Sequence, residues 1–263
     1  MHLAVPLTIL SAIAALPAAA QQAPERAQRT VLIGGVIDWK PAFPGADNRN
    51  QGFFPLIAVW NDGERMPVET PDESFGINFI GDDEGISAGV ALTNSPRRRS
   101  QDVALALEPV GFGIEVGGFA QAWVGDTLRL RGELRHGIGG HDALTGELAA
   151  DVVIRTPDDQ LLVTAGPRLR WASGGYTRSY FGVSTAEALA TGLAAYRPDG
   201  GIHAYGAVVS AHVHVTDAIG IYSYGGYDRL TGDAARSPIV RSIGDRDQFS
   251  FGVGMSYRFS VNR

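Results

Sequence analysis

Not one of the 263 residues is cysteine, so the chain has no disulfides and no thiolate metal sites. Lysine is almost as scarce, with Lys40 standing alone, and the formal charge is −6. That balance argues against nucleic acid or an anionic membrane surface held by a basic face. Long apolar runs are missing as well. Beyond the first twenty residues no segment reaches the ~20 continuous apolar residues that a membrane helix needs. Any later contact with the lipid interior must come through strands.

The one apolar run lies at the N-terminus. Leu3 to Leu16 followed by Ala18-Ala-Ala20 reads as a secretory signal with cleavage after Ala20, although its n-region carries His2 and no Lys or Arg. Residues 21–29 form a polar leader, and 30–263 suit a single all-β domain of about 200–250 residues. Thirty-four glycines with little helical periodicity favour many strands and turns. An exported protein without cysteine needs a fold that closes on backbone hydrogen bonds alone, as a barrel does.

The end of the chain is the most regular part. From Gln248 to Phe259 every odd position (Phe249, Phe251, Val253, Met255, Tyr257, Phe259) is apolar, and every even one between them is small or polar. Strand side chains alternate between faces, so one face is greasy and the other wet. The same period recurs through the middle. Leu128, Leu130 and Leu134 alternate with Arg129, Arg131, Glu133 and Arg135. Leu148, Ala150, Val152 and Ile154 oppose Glu147 and Asp151, and Leu161, Val163, Ala165 and Leu169 oppose Arg168 and Arg170. A soluble barrel built on the aliphatic face would have few large residues to fill its core. A transmembrane barrel wants that face toward lipid and the charges in its lumen.

Twelve strands are predicted: Val31–Trp39, Phe53–Trp60, Arg65–Glu69, Phe75–Ile80, Gly85–Thr93, Val110–Val124, Thr127–His136, Leu144–Ile154, Gln160–Trp171, His203–Thr216, Ala218–Tyr227 and Gln248–Phe259. The expected fold is an antiparallel up-and-down transmembrane β-barrel of about 12 strands (10–12), with short periplasmic turns and longer outer loops. The two short strands around Arg65–Ile80 are the weakest of the set, and merging them would change the count. The acidic turn Asp82-Asp83-Glu84 reads as solvated. Ser184 is expected to N-cap a brief helix over Ser184–Ala190, with Glu187 at N3. Trp39, Trp60, Trp123 and Trp171 all fall at strand ends, as an interfacial aromatic girdle would have them.

Chemistry is sparse. His212 and His214 share a face, but no carboxylate in that strand completes a metal site, so they read as solvated lumen histidines. His141-Asp142 with Ser173, Ser179 or Ser184 invites a hydrolase reading, yet nothing fixes a nucleophile elbow or oxyanion hole, and a turn pair is expected. No cofactor and no metal is expected. The charged set Arg129, Arg131, Glu133, Arg135, Glu147, Asp151, Arg168 and Arg170 either forms an anion-attracting constriction or pairs off as filling. Five arginines against three carboxylates leave a local positive excess.

Several segments resemble the MipA/OmpV family of outer-membrane proteins, the first name meaning MltA-interacting protein. They are Pro41-Ala-Phe-Pro-Gly-Ala-Asp47, Gly140-His-Asp142, Ser179-Tyr-Phe-Gly-Val183 with Ala186–Tyr196, Leu230 to Val240, and Gly252–Phe259. The resemblance spans nearly the whole mature chain. It implies a non-enzymatic barrel in the Gram-negative outer membrane that brings a lytic transglycosylase together with a peptidoglycan synthase. A narrow channel for small, anionic solutes and a surface adhesin or receptor stand as alternatives. Family chains tend to stop at the aromatic-Arg-Phe end, where Phe259 would be the assembly signal; here Ser260-Val-Asn-Arg263 follows.

Overall fold

The computed structural model describes residues 28–61, 63–81, 85–103 and 105–262. The expected signal segment 1–20, the expected leader up to residue 27 and the residues Asp82–Glu84 lie outside the described residues. Eleven strands form one antiparallel sheet: β1 (Gln28–Pro41), β2 (Arg49–Asn61), β3 (Phe75–Gly81), β4 (Ile86–Asn94), β5 (Gly113–Val124), β6 (Leu128–Gly139), β7 (Leu144–Arg155), β8 (Leu161–Ala172), β9 (Gly201–His214), β10 (Ile219–Leu230) and β11 (Asp247–Asn262). Their order is β2-β1-β11-β10-β9-β8-β7-β6-β5-β4-β3, so the last strand pairs with the first and the sheet curls into a barrel whose seam lies between β2 and β3. Four short helices, α1 (Gly174–Phe181), α2 (Thr185–Thr191), α3 (Gly232–Arg236) and α4 (Pro238–Ile243), lie in the β8–β9 and β10–β11 loops.

Alternation decides which way each side chain points. Leu130, Leu134, Leu148, Val152, Ile154, Val209, Val213, Phe251, Val253, Met255 and Tyr257 are exposed on the outside. Arg129, Arg131, Glu133, Glu147, Asp151 and Arg168 are buried on the inside. An apolar outer band continuous over consecutive strands is what lipid accepts and water does not. The Trp girdle is half right. Trp39 stacks on Phe251 at 5.4 Å and Trp171 is exposed, but Trp60 and Trp123 point inward and pack with Leu32, Met66, Val153 and Leu162.

Two further expectations change. Residues 65–69 form no strand; residues 63–74 leave the sheet and cross the lumen as a strap. The Met66 amide donates to Asp159 Oδ2 at the end of the short turns, and Ser74 Oγ donates to Glu133 Oε2 in the middle of the wall. Pro67 and Pro71 lack the amide hydrogens that a ladder requires, which accounts for the missing pairing. The final strand, in contrast, is longer than expected. Ser260, Val261 and Asn262 continue the register opposite Thr30, Arg29 and Gln28.

Depth gives the first test. Leu134 sits in the middle of β6, whereas Leu130 sits near its start. Leu134→Arg should cost about 2–4 kcal/mol and Leu130→Arg closer to ~0–1 kcal/mol, measured by reversible urea unfolding in vesicles. Equal costs at the two positions would contradict this placement.

The C-terminal strand gives the second. Phe259→Ala should slow assembly, read as loss of the heat-modifiable folded band. Removal of residues 260–263 should now weaken the β1–β11 closure measurably, since three of those residues are paired. A deletion that folds as well as the full chain would show that the added pairs are idle.

Candidate functional site: the charged lumen wall and its strap

Arginines three strands wide need partners once water is excluded, and the strap supplies them. Arg168 donates through Nε to Asp72 Oδ2 at 2.8 Å and through Nη1 to Asp151 Oδ1 at 2.8 Å. Arg170 bonds Asp72 at 2.9 Å and Asp228 at 3.1 Å, and also meets Glu147. Glu73 pairs with Arg129 and, at 3.3 Å, with Arg131. Arg131 in turn reaches Glu133 at 2.7 Å and lies 3.8 Å over the Phe119 ring. Arg135 bridges Glu133 and Glu115, the latter at 3.0 Å. All eight residues singled out in the sequence therefore stand on one inner wall, joined by four carboxylates that alternation did not flag.

Those four, Asp72, Glu73, Glu115 and Asp228, change the electrostatics. The five arginines face seven carboxylates instead of three, and the local positive excess disappears. The anion preference expected from the sequence has no basis in this wall. Asp72 and Glu73 were missed because they lie in an irregular segment, where no period assigns a face. Glu115 alternates with Ile114 and Val116 in β5, and that signal was there to be read.

Packed clusters narrow both ends of the lumen. At the short-turn end Leu32, Trp60, Met66, Val153 and Leu162 form an apolar floor. At the long-loop end Tyr176, Tyr180 and Phe181 of α1 pack with Leu230, Ala234 and Val240, and a second cluster joins Phe43, Leu107, Val183 and Ile239. Arg98, buried within this roof, is clasped by carbonyls: Nη1 donates to Tyr180 O at 2.9 Å and Nη2 to Glu108 O at 2.8 Å. Burial raises the phenols of Tyr176 and Tyr180 above their ordinary range, and the Tyr180 hydroxyl donates to Pro96 O at 2.6 Å. The helix expected at Ser184–Ala190 is α2, with Ser184 and Glu187 in a reciprocal capping box. Burial would push the Glu187 carboxyl up, but the Ser184 and Glu108 amides donate to it and hold it below its usual value.

The histidines behave differently from expectation. His141 is no exposed turn residue; it is buried, with Nε2 3.1 Å from Glu115 Oε1, while Asp142 is exposed. Ser173, Ser179 and Ser184 bond to or cap nearby backbone. His212 and His214 are buried rather than solvated, against Ser256 Oγ at 2.7 Å and Asp159 O at 3.1 Å. Among the described residues no group of three or more His, Asp or Glu is placed to hold a metal.

An outer apolar band, an inner paired-charge wall and a β11–β1 closure define an outer-membrane β-barrel protein. The chain belongs to the MipA family: the model of "MltA-interacting protein MipA" matches residues 33–259. No curated protein matches it in sequence. Among solved structures it is similar to the COG4313 outer membrane channel from Pseudomonas putida F1, at 10% identity and a TM-score of 0.42, covering 94% of this chain and 100% of that one. It is also similar to the outer membrane channel DcaP of Acinetobacter baumannii, at 10% identity and a TM-score of 0.35, covering 90% and 99%.

The wall yields a third test. The Arg168 side chain is fully buried between two carboxylates, so Arg168→Met should destabilise by about 3–5 kcal/mol by stranding them. Asp142→Asn, at an exposed position, should leave the urea midpoint where it was. A midpoint unmoved by Arg168→Met would mean that the wall contributes no net stability.

Proposed function

We propose that this protein is a non-enzymatic, non-conducting outer-membrane scaffold that holds peptidoglycan-remodelling enzymes at the wall. The observation that carries the reading is the strap: residues 63–74 occupy the lumen, and Asp72 and Glu73 tie it to Arg129, Arg168 and Arg170. With an apolar floor below, helices above and the strap between them, the axial path is obstructed, so in this reading the barrel passes no ions along its axis and its work as a scaffold falls to its surfaces. The family description names a lytic transglycosylase interaction, MltA, and the resemblance adds a peptidoglycan synthase. In this reading the signal is cleaved after Ala20, and the short turns face the periplasm. That rim exposes Glu64, Asp126, Asp158 and Asp217 alongside Arg29 and Arg65, an edge of both signs whose turn carboxylates can meet a cationic surface on the enzyme. Phe259 acts as the assembly signal, and the Arg and carboxylate set of the lumen acts as packing rather than as a filter.

Two measurements test it. The refolded mature chain should give no steady conductance in planar bilayers, and Asp72→Ala with Glu73→Ala should produce openings by freeing the strap. A purified lytic transglycosylase should be captured by the unaltered chain and several-fold less by Asp126→Lys with Asp158→Lys and Asp217→Lys. Steady conductance in the unaltered chain would favour the channel reading, and capture indifferent to the rim charges would remove this docking edge.

A further inference from the structure

The seam between β2 and β3 is left unpaired by the geometry of the sheet. With eleven strands all antiparallel, the two edge strands run in the same direction, so neither can complete an antiparallel ladder with the other. Among the described residues no strand pairing joins them. The edges also carry features that keep them free. Pro55 sits in the middle of β2, and β3 is only seven residues long with a register break between Asn78 and Ile80. Proline, brevity and bulges are the means by which natural edge strands avoid partners. A second copy inserted the same way up offers the same strand directions, so it too can add no antiparallel ladder.

Behind the seam lies a chamber of about 1400 Å³, larger than the roughly 300–1,000 Å³ of ordinary small-molecule sites. It is bordered by both faces of β2: Phe53 and Ile57 from the lipid side, Leu56 from the lumen side. It therefore passes through the wall. Above the seam Asn48 and Asn50 donate to Asp102, at 3.2 and 3.4 Å, bridging the start of β2 to the loop after β4. With packed clusters narrowing the floor and the roof, the side is the widest way in for a lipid.

We propose that this seam is a lateral window through which the lumen takes a long-chain amphiphile with an anionic head from the surrounding lipid. The chain lies along β2, against Leu56, Phe119 and Tyr222. The head sits at the long-loop rim beside Arg97, which lines the chamber, is exposed, and has no carboxylate partner among the described residues; its one recorded contact is the Phe112 ring at 5.8 Å. The arginines deeper in the wall are already paired and do not compete for the head. Free edge groups bordering a partly polar chamber also escape the penalty they would meet in pure hydrocarbon.

The test uses Trp123, which borders the chamber. With Trp39, Trp60 and Trp171 changed to Phe, the refolded chain in phosphatidylcholine vesicles is titrated with nitroxide-labelled stearate. Quenching should saturate at one probe per chain. Arg97→Ala should weaken it at least fivefold for the acid and leave the methyl ester unchanged, and Leu56→Phe, which narrows the chamber, should weaken both. Because the Trp60 change touches the floor, native mass spectrometry of the otherwise unaltered chain with stearate supplies a second reading: one adduct, lost in Leu56→Phe. Quenching that rises linearly and identically in all variants, together with no adduct, would overturn the window. So would closure of the seam by an added strand, seen as a heat-stable complex with an alternating apolar peptide.

Discussion

An odd number of antiparallel strands cannot close a barrel with antiparallel hydrogen bonds, and much of this molecule follows from that parity. β11 closes on β1 along most of β1's length, which places β2 and β3 at the edges and pointing the same way. The chain must then travel from the end of β2 at one rim to the start of β3 at the other. A twelfth strand would do this in the sheet. Here Pro67 and Pro71 forbid the ladder, and the connection passes through the lumen.

That detour has an electrostatic consequence. A strand in the wall would have put half of its side chains toward lipid, where Glu69, Asp72 and Glu73 are costly. Routed inside, Asp72 and Glu73 meet the arginines of β6 and β8. Buried pairs of this kind add little net stability over apolar filling, but each becomes expensive when one partner is lost. The strap and the wall are thus mutually dependent, and the obstruction along the lumen's axis comes from the same contacts. The seam is the other side of this arrangement. The residues that would have filled it are occupied within.

Where period-two alternation ran unbroken, the sequence was enough to assign faces. The terminal strand, the three charged strands β6 to β8 and the capped helix α2 were all legible, because their side-chain directions follow from local geometry and from hydrogen bonds within a few residues. The eight charged positions on the wall were legible for the same reason. His141 was not. Its neighbours Gly140 and Asp142 are turn formers, and only the carboxylate of Glu115, far along the chain, draws it inward. Trp60 and Trp123 lie at strand ends as an interfacial residue would, and the face they take is settled by the floor they help to build.

What the sequence by itself determined is the class: a cysteine-free, glycine-rich chain whose greasy and wet faces alternate can satisfy its backbone in lipid by hydrogen bonds between strands and by little else. What only the tertiary structure decided is the strand count, the fate of residues 63–74, and the sign of the charge inside. Those depend on pairing between residues tens of positions apart, as between Asp72 and Arg168. Such pairs leave no period in the sequence, because a carboxylate in an irregular segment has no face until a partner is brought to it.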